Sequence, residues 1–199
     1  MEERLESVLA TISQAFAERG LPEGDPVFTA GSPELDSDRL ATLARQCRWL
    51  DLPGELLCGN SIALALASPP AFAYLLPACM TVSLKRYPEC GALTSMLLTC
   101  LTPVDESDAE TMAGLEGDFE RLEPGVLEES ASPDVFAETE GEREVFAARV
   151  AVLTAEEREA VRAYLRCLDE VHGDDFPAFG PRQALERFWD TGEAGGSGR

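Results

Sequence analysis

Apolar positions recur along this chain at helical spacing, and proline, glycine and one long acidic run interrupt the recurrence. Leu5, Val8, Leu9, Ile12 and Phe16 share a face within residues 2–19, and Gly20 follows as a stop, which predicts a docking helix. Leu21 to Gly31 contains two prolines and reads as a loop. Ser32-Pro33 or Asp36 starts a second helix in which Leu40, Leu43, Ala44 and Cys47 share a face. Trp49 is expected to anchor a helix junction, with Asp51 capping a helical turn over Gly54 to Cys58.

The most apolar stretch runs from Ser61 to Leu101, where 26 of 41 residues are apolar and only Lys85, Arg86 and Glu89 are charged. Such a segment must be surrounded by protein or by lipid. Ser68 followed by Pro69 and Pro70 reads as a helix start, because proline has no N–H to lose there. Pro77 would clash with the carbonyl of Ala73, so a kink or restart is expected between Tyr74 and Ala78. Tyr87-Pro88 breaks the chain again, and Leu93, Met96, Leu97, Cys100 and Leu101 recur in a third helical piece. A membrane span needs about 20 continuous apolar residues, and the prolines, Gly59, Asn60 and serines interrupt this one, so a buried helical core is the expectation.

After Leu101 the character changes. Residues 102–142 carry 14 Asp and Glu against one Arg, so they hold −13 of the chain's net −21. Met112, Leu115, Phe119 and Leu122 still fall on one helical face before Pro124-Gly125 ends it. From Glu142 onward Val145, Phe146, Val150 and Leu153 form a stripe. Thr154-Ala155-Glu156-Glu157 is a capping box opening a helix with Val161, Tyr164, Leu165, Leu168 and Val171 toward the core and Glu159 and Arg162 outside. Gly173 ends that helix, with His172 in its last turn, and Gly180-Pro181 begins a short final one from Arg182 to Trp189. The expected fold is all-α: a single compact domain of six to eight helices over residues 1–190, with an acidic insert at 102–142 and a flexible tail at 191–199.

The charge bears on partners. Nonspecific nucleic-acid binding draws its affinity from Lys and Arg on phosphates, so a net −21 argues against it and for a basic partner, although an acidic surface also simply maintains solubility. Met1-Glu2-Glu3-Arg4 lacks the basic start and apolar run of a signal peptide, which sets a cytoplasmic expectation. The six cysteines, Cys47, Cys58, Cys79, Cys90, Cys100 and Cys167, mostly occupy apolar positions of predicted helices and read as reduced packing residues.

Chemical motifs are sparse. The chain has no P-loop, dinucleotide fingerprint, G-x-S-x-G elbow or C-x-x-C pair. His172 is the only histidine; Asp174 and Asp175 lie beside it, but further metal ligands have no obvious source, and a helix-capping role suits it better. No catalytic residue, metal ligand or cofactor is nominated.

Trp49-Leu50-Asp51-Leu52, then Leu64 to Pro69 with Ala71-Phe72-Ala73-Tyr74-Leu75-Leu76-Pro77-Ala78, and finally Leu153-Thr154 opening a Glu- and Arg-rich helix, together resemble a bacterial family of small helical proteins of unknown function. The resemblance covers Trp49 to Leu101 and Val145 to Trp189 and implies no catalytic residues. Its pattern leaves room for a shorter insert than residues 102–142 provide.

The functional expectation is a noncatalytic protein that binds a protein partner through an acidic surface carrying Glu128, Glu129, Asp134, Glu138 and Glu140. An immunity or inhibitor protein against a basic, nucleic-acid-acting toxin is its most concrete form. Two alternatives are an enzyme with a hidden carboxylate or Cys site, and a scaffold or oligomer subunit with an apolar patch around Phe176, Phe179, Phe188 and Trp189.

Overall fold

The computed structural model describes residues 2–24, 27–28, 37–105, 135–176 and 180–191. Among them are nine α-helices and no strands: α1 (Glu2–Ala15), α2 (Ser37–Gln46), α3 (Gly54–Gly59), α4 (Ala63–Leu66), α5 (Pro69–Lys85), α6 (Gly91–Leu101), α7 (Val135–Ala151), α8 (Ala155–His172) and α9 (Pro181–Ala184). Short 3-10 turns at Trp49–Asp51 and Gly173–Asp175 and a wide final turn at Leu185–Trp189 complete the set. No helix among the described residues is long and apolar enough to cross a membrane.

The all-α expectation is met around α5. Every side chain from Ala71 to Met80 is buried, and α1, α3, α4, α6 and α7 all pack against this helix. α1 lies along α8, closing the other side. The helix runs through Pro77 without the expected restart, so residues 69–101 form two helices, α5 and α6, rather than three short ones. An interior proline costs roughly 3 kcal/mol, and burial on all sides of α5 offsets it, at about 1.5–3 kcal/mol for each large apolar side chain.

Several local expectations need correcting. α1 stops at Ala15 rather than near Gly20, because Phe16 turns its carbonyl to the indole N–H of Trp49, 2.8 Å away. Trp49 is buried, as expected of an anchor. Asp51 caps nothing: Pro53 occupies the N-cap of α3. Val145 and Val171 are exposed rather than core-facing, whereas Phe146, Val150 and Leu153 are buried. The rotation of α7 that buries Phe146 also carries Arg149 inside, where its guanidinium lies 4.9 Å from the centre of the Phe72 ring and donates to the Ala65 carbonyl. The cysteines were expected to be reduced throughout, yet Cys58 and Cys90 are disulfide-bonded, because α3 rests on the start of α6 and brings their Cα atoms to 5.3 Å. Their separation of 32 residues gives no local cue to that meeting.

Several polar groups inside the bundle are paired across helices. Ser83 Oγ sits between Thr94 Oγ1 at 2.8 Å and the Tyr164 hydroxyl at 3.0 Å, tying α5 to α6 and α8. The capping box forms as expected: Glu157 N–H donates to Thr154 Oγ1 at 3.2 Å, and Thr154 N–H to Glu157 Oε2 at 2.8 Å. The carboxylate of Glu157 also accepts from Arg19, with Nε at 2.7 Å from Oε1 and Nη2 on Oε2, so one residue starts α8 and ties it to the chain following α1. Of the apolar patch expected for a scaffold, Trp189 belongs to the core and Phe176 and Phe188 are partly buried against it. Trp189 is fully buried, Phe188 stacks edge-on against both Phe146 and Trp189, and Phe176 meets Tyr87; Phe179 lies outside the described residues.

Candidate functional site

The last turn of a helix leaves carbonyls without intrahelical donors, and at the end of α6 and in the residues that follow it, carbonyls are met by side chains from far along the chain. The indole N–H of Trp189 donates to the Leu101 carbonyl at 2.7 Å, Arg187 Nη1 to Pro103 O at 3.2 Å, and Arg143 Nε to Val104 O at 3.1 Å. Thr102 Oγ1 turns back to Leu98 O at 2.7 Å. The point where the chain enters the acidic insert is thereby fixed to α7 and to the C-terminal turn. Because Arg143 belongs to α7, the far end of the insert returns to the place where the near end leaves.

Of the five carboxylates assigned to partner binding, Glu138 and Glu140 fall within α7, and Glu128, Glu129 and Asp134 lie outside the described residues. The helical face assigned to Met112, Leu115, Phe119 and Leu122 also lies outside them. The residues that hold the base of the insert, Arg143, Arg187 and Trp189, were not singled out for that role from sequence, since their acceptors are backbone carbonyls that leave no compositional trace.

The cations of the helical body are committed internally. Arg4 pairs with Glu170, Arg86 with Glu89, Arg166 with Asp190 and Arg182 with Asp169. Arg162 bridges Glu159 and the Trp189 carbonyl, as the outward placement of Glu159 and Arg162 anticipated. The chain's excess of carboxylates is concentrated in residues 102–142.

Two further groupings bear on chemistry. At the end of α8, Arg4, Arg166 and Arg182 face Asp169, Glu170 and Asp174 around an open cleft of about 480 Å³; its charges balance. Nearby, the rings of Tyr87 and His172 stack with centroids 3.6 Å apart, and Asp175 Oδ2 accepts from the Tyr87 hydroxyl at 3.0 Å and lies 3.2 Å from His172 Nδ1. The arrangement closes the end of α8 onto the turn between α5 and α6, and both of its contacts to Asp175 are structural in character. No group of three or more His, Cys, Asp and Glu side chains among the described residues is placed to hold a metal ion.

Burial and the adjacent Asp175 carboxylate push the Tyr87 phenol up to about 12, and burial pushes Tyr74 and Tyr164 higher still. These are all three tyrosines of the chain. The fold favours each neutral phenol relative to its ordinary value near 10, so this stabilisation is complete below about pH 10 and is lost as pH rises through the raised values. An ultraviolet titration is therefore expected to show no phenolate step near pH 10; the signal rises at higher pH together with loss of helical dichroism. A step near pH 10 with helix content retained would overturn the assignment.

No protein-family model, no characterised protein and no solved structure matches this chain.

Proposed function

We propose that this is a noncatalytic binding protein that presents its acidic insert to a basic protein partner, with an immunity or inhibitor protein against a nucleic-acid-acting toxin as the most concrete form. The observation that carries this reading is the pinned base of the insert: the Arg143 bond to Val104 O brings its two ends together. A fifth of the chain holding −13 is thus offered from one place on a helical body whose arginines are already paired. Opposite charge of that density raises association rates and selects a basic surface, such as one built to hold phosphates. The resemblance of Trp49–Leu101 and Val145–Trp189 to small bacterial proteins supports a bacterial setting.

The test is affinity capture at low and high salt followed by a charge-neutralised variant. Substituting Glu128, Glu129, Glu138 and Glu140 by Gln and Asp134 by Asn is expected to weaken capture of the basic partner by about tenfold or more at low salt, mainly through slower association. The salt dependence should flatten in parallel. Binding indifferent to both changes would remove the insert from the interface.

A further inference from the structure

The one disulfide joins two unlike partners. Cys58 is partly buried on the six-residue helix α3, whereas Cys90 is only 2% exposed and is the N-cap residue of the eleven-residue helix α6. The other four cysteines are free thiols: Cys79, Cys100 and Cys167 are buried, and burial raises their pKa values above that of an ordinary thiol.

The asymmetry extends to the backbone. Cys90 is fixed independently of its sulfur, since its N–H donates to Arg86 O at 3.0 Å and its carbonyl accepts from Thr94 N at 3.0 Å and Thr94 Oγ1 at 3.2 Å. The hydrogen bonds around α3 run between neighbours in the chain, from Leu56 and Leu57 N–H to Pro53 O and from the Asn60 amide to Leu56 O. Beyond the disulfide, α3 is held by packing on α5 and α6, through the buried Leu57 and the partly buried Leu56.

We propose that Cys58–Cys90 is an exchangeable bond, attacked at Cys58 by a dithiol reductant with Cys90 as the leaving thiolate, and that its opening releases α3 while the rest of the bundle stays folded. Exchange requires an accessible sulfur and a leaving thiolate of low basicity. Cys58 is the more accessible of the two. Cys90 supplies the leaving group, because the positive dipole end of α6 favours an anion at its N-cap. The burial that opposes this is contributed in part by α3 itself and falls away as that helix moves.

The step balances as a two-electron exchange. A thiolate of the dithiol bonds to Cys58 Sγ, and the Sγ–Sγ electron pair leaves on Cys90. The second thiol loses its proton and closes on the mixed disulfide, releasing Cys58 as a thiolate and leaving the reductant as an internal disulfide. This chemistry is independent of whether the insert binds a partner.

The test treats the full chain with glutathione or dithiothreitol under native conditions, followed by alkylation and site-resolved mass spectrometry. With glutathione the adduct is expected on Cys58 and the alkyl group on Cys90. With dithiothreitol both become alkylated while Cys79, Cys100 and Cys167 stay unlabelled, and amide exchange rises in residues 54–60 but not in α5 or α8. A bond that opens only when the three buried thiols also label, or a glutathione adduct on Cys90, overturns the proposal. The thiolate absorbance of Cys58→Ser, less that of a Cys58→Ser/Cys90→Ser variant, isolates Cys90. Its midpoint is expected at least about one pH unit below the ~8.5 of a free thiol; a smaller or opposite shift removes Cys90 as the leaving group.

Discussion

Truncating Trp189 to alanine is expected to lower the unfolding free energy by about 3–5 kcal/mol, the range for removing a large aromatic side chain from a packed core. The indole is fully buried, packs edge-on against Phe188 and donates to the Leu101 carbonyl at 2.7 Å. Its loss leaves both a cavity and an unpaired carbonyl at the end of α6. Trp189→Phe restores most of the volume but not the donor, so it should recover well over half of the deficit. Urea unfolding of the two variants measures both effects. A cost below about 1 kcal/mol for the alanine variant would mean that the C-terminal turn is not part of the cooperative unit.

The second large effect is expected at Glu157. Removing one member of a buried ion pair costs about 3–5 kcal/mol because the other charge is left without its partner. Arg19 retains 20% side-chain exposure and can be partly rehydrated, which places Glu157→Ala near 3 kcal/mol, at the lower end of that range. Part of the loss is the capping box, worth about 1 kcal/mol at a helix start. Glu157→Gln keeps an acceptor for Thr154 N–H and should cost less. An Arg19→Ala/Glu157→Ala double variant that loses no more than Glu157→Ala alone would show the expected coupling; additive losses would refute it.

Both residues show where sequence reading succeeds and where it stops. Thr154 and Glu157 were recognisable as a capping box because the partners lie three residues apart. The second role of Glu157 was not, since Arg19 is 138 residues away. A short helix ending at Trp189 was legible from Gly180-Pro181, yet nothing in that segment pointed to Leu101 as the acceptor for the indole. Val145 was misplaced and Arg149 passed over for one reason. A hydrophobic stripe assigns facing by residue type, whereas the rotation of α7 is set by what α4, α5 and α6 offer it, and there Phe72 and the Ala65 carbonyl accept a guanidinium.

Pro77 and the cysteines failed differently. The proline expectation was a local cost weighed without its offset, because the burial that keeps α5 continuous comes from five other helices. The cysteine expectation followed from apolar context, which does describe Cys79, Cys100 and Cys167, all buried free thiols. Cys58 and Cys90 occupy similar contexts, and only the resting of α3 on α6 distinguishes them.

By itself the sequence determined the all-α class, the central apolar stretch, the anchor role of Trp49, the start of α8 and the concentration of negative charge in residues 102–142. These depend on period, capping and composition, whose interactions span about four residues or fewer. Only the tertiary structure decided the Cys58–Cys90 bond, the Arg19–Glu157 pair and the closure of the insert's base by Arg143, Arg187 and Trp189. Those contacts join residues 32 to 138 positions apart, and their geometry exists only once the helices have packed.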